Sequence, residues 1–153
     1  MIKLLFVCLG NICRSPTAEG VMQSLVDERG LSNMIICDSA GTIGYHAGSP
    51  ADERMREHAS KRGYDLTSLS RKFVKSDFKN FDLILVMDSS NYKDVLGLDS
   101  KNQYSEKVRL LTDYCSEHNV DEVPDPYYGG AADFELVLDI VEDACSNLLE
   151  ELN

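Results

Sequence analysis

Basic residues are scarce in this chain. Fifteen Lys and Arg stand against 26 Asp and Glu among 153 residues, a formal net charge of −11. General nucleic-acid binders and anionic-membrane binders need a basic surface, so neither class is expected. Long apolar runs are scarce too. The N-terminal run Ile2–Val7 is short and broken by Lys3, whereas a signal peptide needs a basic start, an unbroken apolar stretch and a small-residue cleavage site. No later run approaches the roughly 18 apolar residues of a membrane helix. No lipidation motif, internal repeat, low-complexity tract or linker stands out. The five cysteines are odd in number, which argues against a disulfide framework. A reducing, cytoplasmic setting is expected. What is present looks ordinary: 43% hydrophobic and 27% charged residues, in a length that suits one domain over residues 1–153.

The apolar patterning alternates between strand and helix periods. Ile2–Val7 reads as a strand covered on both faces. Pro16–Arg29 reads as a helix, with Ser15 as its cap and Gly30 as its stop. Met34–Cys37 is a second strand, followed by a loop of small residues from Ser39 to Gly48. A second helix is expected to open at Ser49-Pro50, with Asp52 returning a capping bond to the Ser49 amide, and to end at Gly63. Phe81–Met87 is a third buried strand. Ser89 to about Leu96 is a short helix, and Lys107–Leu111 a fourth strand. After the loop from Val123 to Gly130, one apolar helical face runs through Phe134, Val137, Val141, Ala144, Leu148 and Leu152. The acids among them form its solvated side. This order predicts an α/β fold: a single-domain, doubly wound, four-stranded parallel sheet with helices on both faces.

Function is most legible between the first strand and the first helix, in Cys8-Leu9-Gly10-Asn11-Ile12-Cys13-Arg14-Ser15. Ligands of open α/β sheets bind beyond the carboxyl ends of the strands. A helix N-terminus there offers free amides and partial positive charge to an anion. Gly10 allows close backbone approach, and Asn11 tolerates the left-handed conformation that a tight cradle needs. Arg14 presents a planar pair of donors to two phosphate-like oxygens. Amides, helix end and guanidinium together stabilise negative charge on the Cys8 sulfur, the making of a nucleophile. Ser15 can also stabilise sulfur as it leaves. A cysteine ending a strand is usually core; it is the arginine five intervening residues on, in a strand–loop–helix setting, that points to an oxyanion site. The loop lacks the Gly-Lys-Ser/Thr ending of a nucleotide-binding loop and the glycine spacing of a dinucleotide fingerprint.

CLGNICRSPTAEG resembles the phosphate-binding loop of the low-molecular-weight protein tyrosine phosphatases. Asp38-Ser-Ala-Gly-Thr42, Asp82 to Asp88 with Asn91, and Asp125-Pro-Tyr-Tyr-Gly129 follow in family order, so the resemblance covers nearly the whole chain. It implies a phosphotyrosine phosphatase working through a cysteinyl-phosphate, with no cofactor and no metal. Its substrate would be a phosphotyrosine protein or peptide, its product phosphate, and its state a monomer or a weak self-associate. It implies Cys8 as nucleophile and residues 9–15 as the phosphate cradle. Asp125, stiffened by Pro124 and Pro126, becomes the general acid and later the base. Tyr127 becomes a pocket wall, Tyr45 the opposite wall, and Leu9 and Ile12 further lining. Ser39 would bond Asn11 and hold the loop in shape. Cys13 would be a redox partner able to form a reversible disulfide with Cys8. Tyr127 and Tyr128 would be candidates for phosphorylation. Cys37, Cys115 and Cys145 read as core, and His46, His58 and His118 show no ligand spacing. Ser68 stands where many relatives carry histidine, and Arg71 reads as a structural ion pair or a charge on the substrate side.

Two other functions fit parts of the pattern. An arsenate reductase on this scaffold would need relay cysteines after the third strand, and residues 76–100 contain none. A phosphate-binding module would need neither Cys8 nor Asp125.

Overall fold

A computed structural model describes residues 1–153. The first apolar run becomes β1 (Ile2–Cys8), flanked on both sides by parallel neighbours. On one side it pairs with β2 (Ile35–Gly41) along its full length, from Ile2 against Ile35 to Cys8 against Gly41. On the other it pairs with β3 (Leu83–Val86), which pairs in turn with β4 (Val108–Leu110). The sheet order is β2-β1-β3-β4, all parallel. The helices are α1 (Arg14–Glu28), α2 (Glu53–Lys61), a one-turn α3 (Asp77–Asn80), α4 (Ser89–Leu98) and α5 (Ala131–Leu152).

The strand period of two sends β1 side chains to opposite faces. Leu4, Phe6 and Cys8 enter the larger core with Val21 and Met22 of α1 and Val137, Val141 and Leu148 of α5. Leu5 and Val7 enter a smaller core with Phe73, Phe78 of α3 and Val95 of α4. Helices therefore cover both faces, as a doubly wound sheet requires. The apolar face anticipated from Phe134 to Leu148 is buried throughout. No helix is long and apolar enough to cross a membrane.

Local expectations needed correction at three places. β2 runs four residues past Cys37, because the polar and small residues Asp38–Gly41 still pair with Leu5–Cys8. There Gly41 is required by close approach: a Cβ would lie 2.8 Å from the Leu9 carbonyl oxygen. α2 starts at Glu53 rather than at Ser49-Pro50. Asp52 is its own N-cap, accepting from the amides of Arg54 and Met55. Residues 48–50 are taken up instead by pairing with residues 69–70, through the Pro50–Leu69 bridge and the Gly48 and Ser70 amides. The Ser49 amide donates to the His46 carbonyl, not to Asp52. Finally, Ser15 does not cap α1. The helix begins two residues earlier at Arg14, its N-cap Cys13 offers no side-chain bond, and the Ser15 hydroxyl turns into the loop.

Away from the first loop in sequence, Asp143 of α5 pins the segment after β4. Its carboxylate accepts from the amides of Ser116, Glu117 and His118 and lies 2.8 Å from His118 Nδ1. Burial opposes the charge, but these donors outweigh it and hold the carboxyl well below the usual carboxylate range. A depressed folded pKa contributes stability above the unfolded value, near 3.9, and that stability is lost as pH falls below it. Asp143→Ala is therefore expected to cost about 2–3 kcal/mol at pH 7. The gap from the parent should narrow as unfolding is measured below about pH 4. A constant gap from pH 7 to pH 3 would contradict the assignment.

Candidate active site

The site forms at the carboxyl end of β1, where the chain turns sharply into α1. Asn11 has φ of 57°, a left-handed conformation that costs a side-chain-bearing residue about 1 kcal/mol. The cost is offset by three bonds. Asn11 Nδ2 donates to Ser15 Oγ at 2.7 Å, its Oδ1 accepts from the Arg71 amide at 3.0 Å, and its own amide donates to Cys8 Sγ at 3.3 Å. Ser70 Oγ adds a bond to the Gly10 carbonyl at 3.0 Å. The backbone at 70–71 thus buttresses the loop from outside.

This geometry curls the loop around the sulfur. Cys8 Sγ lies 3.1 Å from Ser15 Oγ. Ser15 accepts from Asn11, and its own proton can turn to sulfur, where it stabilises negative charge, or to the Ala40 carbonyl at 3.4 Å. The amides of Gly10, Ile12, Cys13, Arg14 and Ser15 have no acceptor in the chain. Set at the N-terminus of a 15-residue helix, they form an anion cradle.

Arg14 is 3% exposed. Its Nη1 is fixed from behind by Asp88 Oδ2 at 2.6 Å and the Val123 carbonyl at 3.1 Å. That leaves Nη2, 3.7 Å from Asp125 Oδ2, on the cavity side. Burial works against the guanidinium charge, but Cys8, Asp88 and Asp125 more than offset it, and the pKa is raised. Asp88 holds two elements at once, since its Oδ1 caps α4 through the Asn91 amide at 2.7 Å. Its position ending the third apolar run was legible; its grip on Arg14, 74 residues back in the chain, was not.

Asp125 stands across the cradle on the loop between Val123 and Gly130. Its Oδ1 accepts from the Tyr127 amide at 3.1 Å, turning Oδ2 toward Arg14. The cavity between the two loops has a volume of about 330 Å³. Leu9, Gly10, Ile12, Cys13, Tyr45 and Tyr127 line it, with Cys8, Arg14 and Asp125. Ile43, His46 and Tyr128 also line it and were not anticipated. Tyr45 is 84% exposed and Tyr128 95%, so the walls are rings standing at an open rim. His46 adjoins two of these rings, its own ring 4.8 Å from that of Tyr45 and 6.3 Å from that of Tyr127.

One expected role comes out differently, and Arg71 takes the ion-pair alternative of its two readings. Ser39 does not reach Asn11. Its hydroxyl donates to Glu19 Oε1 at 2.6 Å, because β2 aims it at α1 rather than at the loop. The Asn11 partners are Ser15 and the Arg71 amide instead. The Glu19 carboxyl is half-buried, and that partial burial first, then Asp38, raise its pKa against the bonds from Ser39 and Ser68. Arg71 points away from the cavity and pairs with Asp77 at 3.0 Å and Asp38 at 3.1 Å. Cys13 is a free thiol. Burial, followed by the charge of Asp52, pushes its pKa far up, so it stays protonated. No group of three or more His, Cys, Asp or Glu side chains is placed to hold a metal ion.

A buried cysteine within an amide cradle, backed by a fixed arginine and faced by a carboxylate, defines a phosphoryl-transfer site of the cysteine-nucleophile class. Comparison with known proteins agrees. A family model described as low molecular weight phosphotyrosine protein phosphatase matches residues 3–153. The human low molecular weight phosphotyrosine protein phosphatase is 39% identical, over 97% of this chain and 94% of its own. A low molecular weight protein-tyrosine-phosphatase of Streptomyces coelicolor is 41% identical, over 96% of this chain and 91% of its own. The crystal structure of a protein tyrosine phosphatase from Entamoeba histolytica superposes with a TM-score of 0.96 at 52% identity, covering 99% of this chain and 97% of that one. The chain belongs to the low molecular weight phosphotyrosine protein phosphatase family.

Proposed function

We propose that residues 1–153 act as one phosphatase domain that hydrolyses phosphotyrosine in proteins or peptides, and small aryl phosphates, in two steps. Cys8 thiolate attacks phosphorus in line with the tyrosyl oxygen. The S–P bond forms as the P–O bond breaks, and Asp125 delivers its proton to the departing oxygen. The cradle amides and Arg14 hold the equatorial oxygens, where transition-state charge is met by donors already in place. Asp125, now a carboxylate, takes a proton from water as that water attacks phosphorus. Sulfur leaves toward the Ser15 hydroxyl, and inorganic phosphate departs. The ring walls Tyr45 and Tyr127 suit an aryl group stacked between them. In the same reading, peroxide oxidises Cys8 to a sulfenic acid. The Cys13 thiol then displaces water from it to close a disulfide, which a thiol reductant reopens.

The observation that carries this reading is the Arg14 Nη2–Asp125 Oδ2 distance of 3.7 Å across the cradle mouth. It sets an acid beside the phosphate-holding group, which a binding module would not need. The test is an initial-rate assay with p-nitrophenyl phosphate and a phosphotyrosine peptide, run beside arsenate reduction with excess thiol. Turnover of both phosphate esters without arsenate-dependent thiol oxidation is expected. Stoichiometric binding with no turnover, or arsenate reduction, would overturn it.

A further inference from the structure

The loop that bears Asp125 is fastened at both ends but hardly between them. Val123 is anchored by its amide to the Met87 carbonyl and by its carbonyl to Arg14. Gly130 is anchored by its amide to Asp133 of α5. Between these anchors, residues 124–129 make one hydrogen bond to the rest of the chain, from Arg54 Nη2 to the Tyr127 carbonyl at 3.0 Å. The Arg54 guanidinium also lies over the Tyr127 ring at 5.4 Å and the Phe134 ring at 4.9 Å. Asp52 accepts from its Nε at 3.2 Å and from the same Nη2 at 3.0 Å. The Asp52 amide in turn donates to the Ile12 carbonyl at 2.8 Å. One short segment at the start of α2 therefore grips the phosphate cradle with Asp52 and the acid loop with Arg54.

Packing of α2 does not require this side chain. Arg62 already ties α2 to α5 through Glu135, Asp139 and Glu142. Arg54 is about half exposed, where an ion pair adds little stability. Its bonds matter for geometry. The Tyr127 amide on Asp125 Oδ1 and the Tyr127 carbonyl on Arg54 fix the two peptides flanking Tyr127, and with them the direction of Oδ2. We propose that Arg54 is a positioning residue for proton transfer: it holds the Tyr127 backbone so that Asp125 reaches the leaving oxygen over the cradle. The proposal rests on Asp125 being the proton donor.

The test compares kcat/KM for phenyl phosphate, whose leaving group needs a proton, with p-nitrophenyl phosphate, whose leaving group needs it less. Arg54→Met keeps the apolar stem over the two rings and removes every donor. A small misplacement of a catalytic group can cost about 100-fold, so a loss of roughly 10- to 100-fold is expected on phenyl phosphate and under about threefold on p-nitrophenyl phosphate. Inhibition by inorganic phosphate should not change, because the cradle is untouched. Arg54→Lys, which keeps one charged donor, should fall between. In an Asp125→Asn background Arg54→Met should add no leaving-group dependence, since both act on one proton. Equal losses on the two esters, a matching loss of phosphate inhibition, or no loss at all would overturn the proposal while leaving Asp125 as acid. If Asp125→Asn alone shows no leaving-group dependence, the reading of Asp125 falls first and the proposal with it.

Discussion

Cys8→Ser is expected to abolish hydrolysis of p-nitrophenyl phosphate, by roughly 10⁴- to 10⁶-fold, since removal of a nucleophile leaves only binding and the oxyanion donors. The substitution is small. Cys8 is 2% exposed at the end of the central strand, and serine differs by one atom that the Asn11 amide and the Ser15 hydroxyl can both still contact. The melting temperature should therefore stay within a few degrees of the parent. Phosphate should still bind, because the cradle amides and Arg14 remain. The decisive pair of measurements is turnover by absorbance and phosphate affinity by calorimetry. Turnover within about tenfold of the parent would remove Cys8 from the mechanism. Loss of both turnover and phosphate binding would mean instead that the sulfur shapes the loop.

Asp125→Ala comes next in size. A general acid contributes about 10²–10⁴-fold, so kcat/KM for phenyl phosphate should fall by that order. The fall on p-nitrophenyl phosphate should be smaller, since that leaving group departs more readily as an anion. With p-nitrophenyl phosphate, whose cleavage needs the acid least, the slower breakdown of the cysteinyl-phosphate should also appear as a burst of p-nitrophenol release in rapid-mix experiments. Folding should be unaffected, because the Asp125 side chain is 42% exposed and its one hydrogen bond is to a neighbouring amide in its own loop. A uniform loss on all esters would point to damage in the loop rather than to a missing proton.

Apolar patterning served best where an element is buried along most of its length. β1 read clearly as a short continuous apolar run and α5 as one apolar face at helical spacing, and both are buried along most of their length. The end of β2 was hidden because Asp38–Gly41 carry no apolar signal; the backbone pairs there while the side chains are polar or small. The start of α2 was misplaced because Ser49-Pro50 is a good local opening. Tertiary pairing with Leu69 and Ser70 overrode it.

The site followed the same division. Cys8, Arg14 and the loop between them are contiguous, so their proximity needed only a strand–loop–helix reading. Asp88 and Arg54 touch the site across long loops, and no local pattern announces such contacts. Ser39 shows a different error: it reads as the start of a loop but lies within β2, and there its hydroxyl meets Glu19 on the helix that crosses above it.

The two catalytic loops hang on supports of very different kinds. β1 is paired on both sides, so the chain that carries Cys8 opens to solvent only when the domain itself unfolds. Residues 124–129 rest on one outside hydrogen bond at a half-exposed side chain, the Arg14–Asp125 ion pair and the half-buried Tyr127 ring, and can open at lower free energy. Heat or mild denaturant will therefore not silence the enzyme in one event. Proton delivery fails first, in a population that still has a formed cradle and still captures phosphate. Such molecules are inactive yet not unfolded, and they compete with intact ones for phosphorylated partners.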